Sequence, residues 1–267
     1  MPELPEVQTV VSTLNHLIQG ERIVEVIERY DGIIRSHHFD VIGHQIHRLT
    51  RRGKYILFHL DDVVMVSHLR MEGKYFIKTD QDEFDKHDHV IFVFESGKQL
   101  RYNDTRKFGT MELLMPDEVD VYFQSRLGIE PDDPRLSVKY LKAFAHKQTL
   151  KGFLLDQHIV AGLGNIYVNE VCFLSHLHPA SRMHRLRKKD YEALVLHIPS
   201  VIQKAIELGG TTIRSYTDSL GVTGRFQNEL TVHDREGEEC LVCSTVIRKT
   251  FVNGRGTYYC PTCQIRR

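Results

Sequence analysis

Four cysteines near the carboxyl end of the chain constrain its fold more than any other feature of the sequence. They form two Cys-x-x-Cys pairs separated by sixteen residues: Cys240 and Cys243, then Cys260 and Cys263. Two such pairs on the arms of a β-hairpin can place four thiolates tetrahedrally around Zn²⁺. Because four cysteines leave no open coordination position, we predict one structural zinc ion. Chance spacing and two disulfides are the alternatives.

The residues between the two pairs support a hairpin. Segments 246–252 and 256–259 have strand character, and Asn253-Gly254 between them is typical of a tight turn. The module is too small for a substantial core, so the metal should provide much of its stability. Arg255 lies at the hairpin tip, where it could enter a groove of DNA. An exposed turn without such a role is the alternative.

The total charge at first argues against a nucleic-acid partner. The chain has 35 basic and 35 acidic residues, whereas phosphates favour basic proteins. The charges are segregated, however. Basic residues gather without any acid in 47–54 and 181–189, and acidic residues gather in 80–85 and 117–133. A neutral total therefore permits a basic face, although two solvated faces explain the same pattern.

The chain lacks the sequence signals of a membrane or secreted protein. No apolar run approaches the roughly 20 residues of a membrane helix. The first residues lack the basic and apolar regions of a signal peptide. We therefore expect a cytoplasmic protein without a membrane partner.

Hydrophobic periodicity divides the chain into a β-rich part and a helical part. Helical spacing predicts an amphipathic helix over about 6–18. Short β-rich runs follow and suggest a sandwich or a barrel-like sheet, at 23–27, 55–60, 63–68, 90–94 and 110–115. The polar segment 128–134 breaks regular structure, and we place a domain boundary there. Helical patterns then cover 137–146, 149–157, 165–175 and 189–208, before a polar, Gly-containing loop at about 211–229.

The amino terminus offers a candidate nucleophile. Removal of Met1 would leave Pro2 as a secondary amine, and an N-terminal amine has a pKa of about 8. Such an amine can attack an electrophilic carbon and form a Schiff base. Glu3 beside it could act as a general acid or base. Met-Pro starts are common and usually carry no function, which is the alternative.

A second candidate site precedes the predicted helix at 165–175. Glycines at 162 and 164 leave backbone N–H groups accessible at a helix start, which suits phosphate binding. Asn165 could cap this helix and also touch phosphate. A tight inter-helix turn is the alternative.

Together these motifs resemble the formamidopyrimidine-DNA glycosylase family of bacterial base-excision enzymes. The match runs in the family's order from the second residue to the last cysteine. The segments that carry it are 2–7 (PELPEV), 51–55 (RRGKY), 68–71 (HLRM), 86–89 (KHDH), 104–109 (DTRKFG), 161–167 (AGLGNIY) and 254–257 (GRGT).

The resemblance implies an α+β multidomain protein that binds DNA. Residues 1–130 would form a catalytic β-sandwich domain with flanking helices. Residues 135–229 would form a helix-two-turns-helix domain whose loop at about 211–229 caps the lesion, and residues 230–267 the zinc finger. The implied activity is removal of oxidised purines from double-stranded DNA, followed by strand cleavage by β,δ-elimination, also at abasic sites. We expect a monomer.

The resemblance also assigns roles to individual residues. Pro2 would be the nucleophile at the sugar C1′, and Glu3 would move protons. Lys54, in an exposed turn before a strand, would be the β-elimination acid or a phosphate ligand, and Arg255 would hold the phosphate during δ-elimination. The implied DNA contacts are His87, Arg106, Lys147, Lys151 and Asn165.

Three further residues match the set that fills the gap left by a flipped base: Met71, Arg106 and Phe108. Apolar side chains can wedge into a base stack, and arginine can hydrogen-bond the orphaned base. Ordinary core packing is the alternative for Met71 and Phe108. Gln8 and Gly152 depart from the family pattern, where Glu and Pro are frequent, but neither is a proposed catalytic group.

Two other functions remain open on the sequence. The endonuclease VIII branch of the family shares the N-terminal amine chemistry but prefers oxidised pyrimidines. It usually lacks the Met71, Arg106 and Phe108 set and the long capping loop, so the purine branch is favoured. A zinc-ribbon protein that binds damaged DNA without catalysis is the other alternative, but such a protein would have no need of Pro2 and Glu3.

Overall fold

The structure, a computed structural model, describes residues 2–211 and 224–267. It contains two compact units. The first comprises Met1–Gln124 and Gly209–Arg225, and the second Ser125–Leu208 and Phe226–Arg267. Most of the loop expected at 211–229, namely residues 212–223, lies outside the described residues. The three-domain division made from the sequence stays a prediction.

The first unit is a sandwich of two antiparallel sheets. Helix α1 (Leu4–Ile18) precedes eight strands, and α2 (Glu118–Gln124) follows them. The strands are β1 (Ile23–Glu28), β2 (Arg48–Arg52), β3 (Tyr55–His59), β4 (Val64–His68), β5 (Lys74–Lys78), β6 (Asp88–Phe94), β7 (Gln99–Asn103) and β8 (Thr110–Leu114). One sheet has the order β1-β6-β7-β5 and the other β2-β3-β4-β8.

The two sheets share one hydrophobic core. The rings of Phe58 on β3 and Tyr75 on β5 lie 5.6 Å apart, so side chains of the two sheets interlock. Val10 and Leu14 of α1 belong to the same buried cluster. The sandwich expected from the sequence is confirmed.

Three strands were not predicted because charged residues interrupt or flank their short apolar stretches. β2 carries three arginines and a single apolar residue, Leu49, which suits a charged edge strand. β5 has lysine at both ends, and β7 contains a buried Arg101 between two core residues. In contrast, α1 begins at Leu4, two residues earlier than the periodicity indicated, because Glu3 and Glu6 form a capping box.

The second unit combines helices with a β-hairpin. Its elements are α3 (Val138–Ala143), α4 (Leu150–Leu155), α5 (Asn165–Leu174), α6 (Lys188–Glu207), β9 (Arg248–Val252) and β10 (Arg255–Tyr259), with short 3₁₀ turns at Met183–Arg185 and Phe226–Glu229. α5 packs against α4, α6 and β10 and so lies at the centre of this unit. All four helices predicted in this unit are present, with ends that differ from the prediction by up to three residues.

Segment 128–134 is built into the second unit. The Gly128 N–H donates to the Gln157 carbonyl at 2.8 Å, and Ile129 accepts from the Ala161 N–H at 2.8 Å. A side chain at Gly128 would lie only 2.3 Å from the Ile159 carbonyl oxygen, so this close approach requires glycine. This segment, where the sequence placed a domain boundary, is thus held by backbone pairing within the second unit.

None of the helices in the described ranges combines the length and apolar character that crossing a membrane requires.

The contact between α1 and the edge strand β2 generates a stability prediction. The Asn15 amide donates to the Leu49 carbonyl at 2.8 Å and accepts from the Leu49 N–H at 2.6 Å. We expect Asn15→Ala to lower the free energy of unfolding by about 1–3 kcal/mol, because both backbone groups of Leu49 lose their partner. Urea unfolding measures this. Exposed His16→Ala, the matched control, should change it by about 0.5 kcal/mol or less, and equal losses in the two variants would contradict the assigned contact.

Candidate active site

The first turn of α1 fixes the amino-terminal end of the chain. One carboxylate oxygen of Glu6 accepts from the Glu3 N–H at 2.8 Å. The other accepts from the N–H and the hydroxyl of Thr211, at 2.7 and 3.1 Å. Pro2 and Glu3 are both buried. Glu6 therefore holds the backbone next to Pro2 and also Thr211, the first residue of the predicted capping loop.

Lys54 lies in the tight turn between β2 and β3 and is only 6% exposed. The expectation of an exposed turn is therefore wrong for this side chain. Its neighbour is His68 at the end of β4, whose pKa is lowered to about 3 by burial and then by the charges of Arg70 and Lys54. The unprotonated Nδ1 of His68 accepts from the Arg70 N–H at 2.9 Å. A neutral imidazole thus lies beside the Lys54 ammonium, a pairing that sequence reasoning missed.

The three residues predicted to fill the base stack lie in two turns of the first unit. Met71 is half-buried in the turn 68–73, which follows β4. Arg106 and Phe108 are exposed in the turn 104–109, which follows β7. Phe108 exposes 49% of its surface, and the Arg106 guanidinium lies 4.7 Å from its ring centroid. Core packing, the alternative for Phe108, is thus not what the fold shows.

His87 lies at the end of the acidic loop 79–88. Its N–H donates to Asp85 Oδ1 at 2.7 Å, and this hydrogen bond is the main reason why the pKa of Asp85 is lowered. Its carbonyl accepts from the Asp104 N–H at 3.1 Å. The backbone at His87 is therefore fixed from two sides.

A buried arginine beneath this loop is a second residue that sequence reasoning missed. Arg101 on β7 is 1% exposed, and its guanidinium lies 4.3 Å from the Phe84 ring centroid. The guanidinium donates to Gln99 Oε1 and to the carbonyls of Thr79, Asp82 and Glu83 at 2.8–2.9 Å. It also forms an ion pair with Asp88 Oδ2 at 3.5 Å. Arg101 thereby fixes the loop that carries His87. A charged residue between two apolar residues of the strand, Leu100 and Tyr102, was the available signal.

In the second unit, two predicted phosphate contacts converge on the hairpin. Lys151 is fully buried, and its Nζ donates to Asn169 Oδ1, the Gly256 carbonyl and Thr257 Oγ1 at 2.8–3.1 Å. Asn165 at the start of α5 donates to the same Gly256 carbonyl at 3.1 Å. A phosphate contact would require Lys151 to give up one of these acceptors.

The hairpin tip presents Arg255. Asn253 and Gly254 have positive φ values of 52° and 69°, the conformation of a type I′ turn. Arg255 follows as the first residue of β10, and its side chain is exposed. Lys147, the remaining predicted contact, is exposed between α3 and α4. The second unit thus brings Lys151, Asn165 and Arg255 together through the backbone of one hairpin.

The four cysteines form a cluster with the dimensions of a metal site. Their Sγ atoms all lie within 4.8 Å of one another, with Cys240–Cys263 at 3.9 Å and Cys243–Cys260 at 3.4 Å. A tetrahedral zinc ion with bonds of about 2.3 Å separates its sulfur ligands by about 3.8 Å, whereas a disulfide requires about 2.05 Å. The four thiols therefore fit Zn²⁺ and exclude the disulfide alternative.

A buried glutamate shapes the chain just before the metal module. Glu170 on α5 accepts from the N–H groups of Thr231, Val232 and His233 at 2.8–3.1 Å, and from the Thr231 hydroxyl. His233 is buried, which is the main reason why its pKa is lowered to about 4. The Asn169 amide contacts its Nδ1 at 2.7 Å. Glu170 thus orders the segment that links the predicted capping loop to the metal module.

Comparison with known proteins identifies the family of this chain. Family models match the N-terminal domain of formamidopyrimidine-DNA glycosylase over residues 1–111, its H2TH domain over 127–217, and the zinc finger found in FPG and IleRS over 237–265. The formamidopyrimidine-DNA glycosylases of Streptococcus pneumoniae and Bacillus subtilis are 46% and 45% identical to this chain, and each match covers 100% of both proteins. The chain belongs to the formamidopyrimidine-DNA glycosylase family.

Solved structures of the family agree with this assignment. Lactococcus lactis Fpg in complex with an abasic site containing DNA has a TM-score of 0.93 and 41% identity, and the match covers 99% of this chain and 100% of that one. A mutant of the same protein in complex with a Fapy-dG containing DNA has a TM-score of 0.94 at the same identity. The zinc-finger module with its four cysteine ligands and the helical H2TH domain are thus confirmed.

The metal cluster generates the first site prediction. We expect Cys240→Ser to lose the zinc ion, because three thiolates and a hydroxyl bind Zn²⁺ less well than four thiolates. Metal analysis by atomic absorption should then show that no zinc is retained. DNA binding should also be lost, whereas the first unit should stay folded. Cys172→Ala, which removes a buried thiol outside the cluster, should retain the zinc. Full zinc content in Cys240→Ser would contradict the four-cysteine site.

The buried histidines generate a pH prediction. Burial lowers the pKa of His68 to about 3 and of His233 to about 4. Below about pH 6.5 the unfolded chain binds protons that the folded chain does not, so stability should fall from pH 7 towards pH 4 by about 1.4 kcal/mol per pH unit for each histidine. Urea unfolding at several pH values measures the slope. His233→Gln should reduce this slope by the contribution of one histidine. An unchanged slope would contradict a neutral buried His233.

Proposed function

We infer that this chain is a DNA glycosylase of base-excision repair that removes oxidised purines and also cleaves the strand at abasic sites. The full-length match to Lactococcus lactis Fpg bound to abasic-site DNA, at 41% identity, is the observation that carries this inference. The favoured branch acts on oxidised purines because the turns 68–73 and 104–109 hold Met71, Arg106 and Phe108. We further propose that it acts as a monomer on double-stranded DNA, in association with the nucleoid.

We propose Pro2 as the nucleophile. Its nitrogen would form a bond to C1′ while the glycosidic bond breaks and the damaged base leaves with the bonding electrons and a proton. The amine then loses its proton, and the C1′–O4′ bond breaks as O4′ takes the bonding electrons and a proton. The product is an iminium between Pro2 and the opened sugar. Glu3, buried and directly adjacent, would supply and remove protons. The Glu6 carboxylate on the Glu3 N–H supports this proposal because it fixes the nucleophile's backbone.

The same iminium makes strand cleavage accessible. It acidifies the C2′ hydrogen, and loss of that proton expels the 3′ phosphate by β-elimination. A second elimination expels the 5′ phosphate and leaves a one-nucleotide gap. We propose Lys54 as the acid or phosphate ligand of the first elimination and Arg255 as the phosphate ligand of the second. The zinc ion maintains the hairpin that carries Arg255 and has no proposed role in bond making.

The remaining predicted contacts would hold the DNA. We propose that His87, Arg106, Lys147, Lys151 and Asn165 bind the backbone near the lesion. The fixed loop around His87 and the hairpin contacts of Asn165 support this, because preorganised groups lose little entropy on binding. The basic segments 48–54 and 182–189 would neutralise further phosphates, so affinity should fall with salt.

We propose that Met71, Arg106 and Phe108 fill the base stack when the damaged nucleotide is flipped out. Phe108 is available for this role because almost half of its surface is exposed. Its position beside the Arg106 guanidinium would place an apolar wedge next to a hydrogen-bond donor for the orphaned base.

Borohydride trapping tests the proposed chemistry. Borohydride reduces the iminium and thereby links the enzyme covalently to DNA containing 8-oxoguanine. We expect Pro2→Gly, or a chain that retains Met1, to reduce trapping by roughly two orders of magnitude or more, because the secondary amine is lost.

Pro5→Ala is the matched control, since it alters a buried proline in the same segment without changing the amine. Duplexes with an oxidised pyrimidine distinguish the endonuclease VIII branch. Equal trapping by Pro2→Gly and the unaltered chain would contradict the proposed nucleophile, and lesion binding without any nicking would support a non-catalytic binder.

A further inference from the structure

The two turns that carry the proposed stack-filling residues rest on the same buried pair of side chains. Tyr102 is the fourth residue of β7, and Asp104 follows its last residue. Both are fully buried, and the Tyr102 hydroxyl donates to Asp104 Oδ2 at 3.2 Å. Neither residue has a place in the chemistry described above.

Asp104 organises the turn 104–109 through its carboxylate. Oδ1 accepts from the Arg106 N–H, and Oδ2 accepts from the N–H groups of Phe108 and Gly109, all at 2.9 Å. The Asp104 carbonyl also accepts from the Lys107 N–H at 3.3 Å. One residue thus binds the backbone at Arg106, at Phe108 and at Lys107 between them.

Tyr102 connects this turn to the turn 68–73. A Cβ at Gly109 would lie 1.6 Å from the Tyr102 hydroxyl oxygen, and a Cβ at Gly73 would lie 2.3 Å from it. The hydroxyl therefore occupies a niche that one glycine from each turn leaves open. The Gly73 N–H closes its own turn on the Leu69 carbonyl at 3.0 Å. The hydroxyl therefore lies against the backbone two residues after Met71 and also against the backbone next to Phe108.

Each turn also contains a backbone conformation that needs external support. Arg70 and Lys107 have φ values of 53° and 57°, in the left-handed region that non-glycine residues rarely adopt. Such conformations persist where surrounding contacts determine them. Here the contacts are the His68 Nδ1 hydrogen bond to the Arg70 N–H and the Asp104 carbonyl on the Lys107 N–H.

We propose that Tyr102 and Asp104 are positioning residues for base flipping, and that their hydrogen bond sets Met71, Arg106 and Phe108 in one fixed arrangement. This rests on the proposed function of those three residues. Unstacking a base costs a few kcal/mol. If the turns that carry the wedge were flexible, their backbone would rearrange and the base would stay stacked. A shared anchor prevents either turn from moving without the other.

The test uses two matched tyrosine variants. Tyr102→Phe removes only the hydroxyl beneath the turns. Tyr75→Phe removes a hydroxyl from the same core that donates to Ser67 at 2.8 Å, with its ring 5.3 Å from that of Tyr102. The substrates are a duplex with 8-oxoguanine opposite cytosine, where a base must be unstacked, and the same duplex with a preformed abasic site.

We expect Tyr102→Phe to reduce single-turnover excision of 8-oxoguanine by about tenfold, because small misplacement of positioning groups costs up to about a hundredfold. Nicking of the abasic site should change by less than about twofold, since no base has to leave the stack. Tyr75→Phe should leave the ratio of the two rates unchanged. Asp104→Asn should shift the ratio in the same direction and further, because its amide cannot accept from all three N–H groups.

A fluorescent probe measures the opening of the base stack separately from bond breaking. 2-Aminopurine next to the lesion brightens when the stack opens, and this step should be slower in Tyr102→Phe while borohydride trapping on abasic DNA stays at the unaltered level. A Tyr102→Phe enzyme with the same rate ratio and the same fluorescence change as Tyr75→Phe would overturn the proposal. Absence of 8-oxoguanine excision by the unaltered chain would instead overturn the proposed function itself, so the two failures are distinguishable.

Discussion

Polar groups that leave water must find hydrogen-bond partners inside the protein, and this requirement shapes every loop at the candidate site. Arg101 finds backbone carbonyls in the loop 79–88. Asp104 finds backbone N–H groups in the turn 104–109, and Glu170 finds them in the segment 231–233. Each buried side chain needs a defined loop conformation, and each loop obtains that conformation from the buried side chain. Hydrogen bonds thus fix the conformation of these irregular segments, as they do in strands.

The same requirement changes the meaning of the zero net charge. Several acidic residues of the loop 79–88 serve its own backbone: Asp82 accepts from the Thr79 N–H at 2.8 Å, and Asp85 from the His87 N–H at 2.7 Å. These hydrogen bonds are the main cause of the lowered pKa of each carboxyl. The acids therefore build the loop that presents His87. A neutral total is compatible with membership of a DNA-repair family, because acidic residues such as Asp82 and Asp85 serve the structure of their own loop.

Sequence patterns predicted the elements whose cause is local. The amphipathic spacing of α1, the apolar runs of β3 and β4, the Asn253-Gly254 turn and the cysteine pairs each depend on neighbouring residues, and each is present. Failures occurred where a distant partner decides the structure. β7 is buried on both faces because the loop 79–88 covers Arg101, and Lys54 is buried although its turn is polar. The backbone pairing of segment 128–134 with 157–161 was likewise not visible in the sequence.

By itself, the sequence determined the zinc module, the sandwich followed by helices, and the order of the family motifs. Spacing and hydrophobic alternation are properties of the sequence itself. They can be recognised without knowing what each element packs against. Only the tertiary structure decided which side chains support the candidate site. Tyr102, Asp104, Arg101 and Glu170 carry no motif that marks such a role, because their partners are backbone groups. Which backbone groups come within 3 Å of a buried carboxylate or guanidinium is fixed only when the chain has folded.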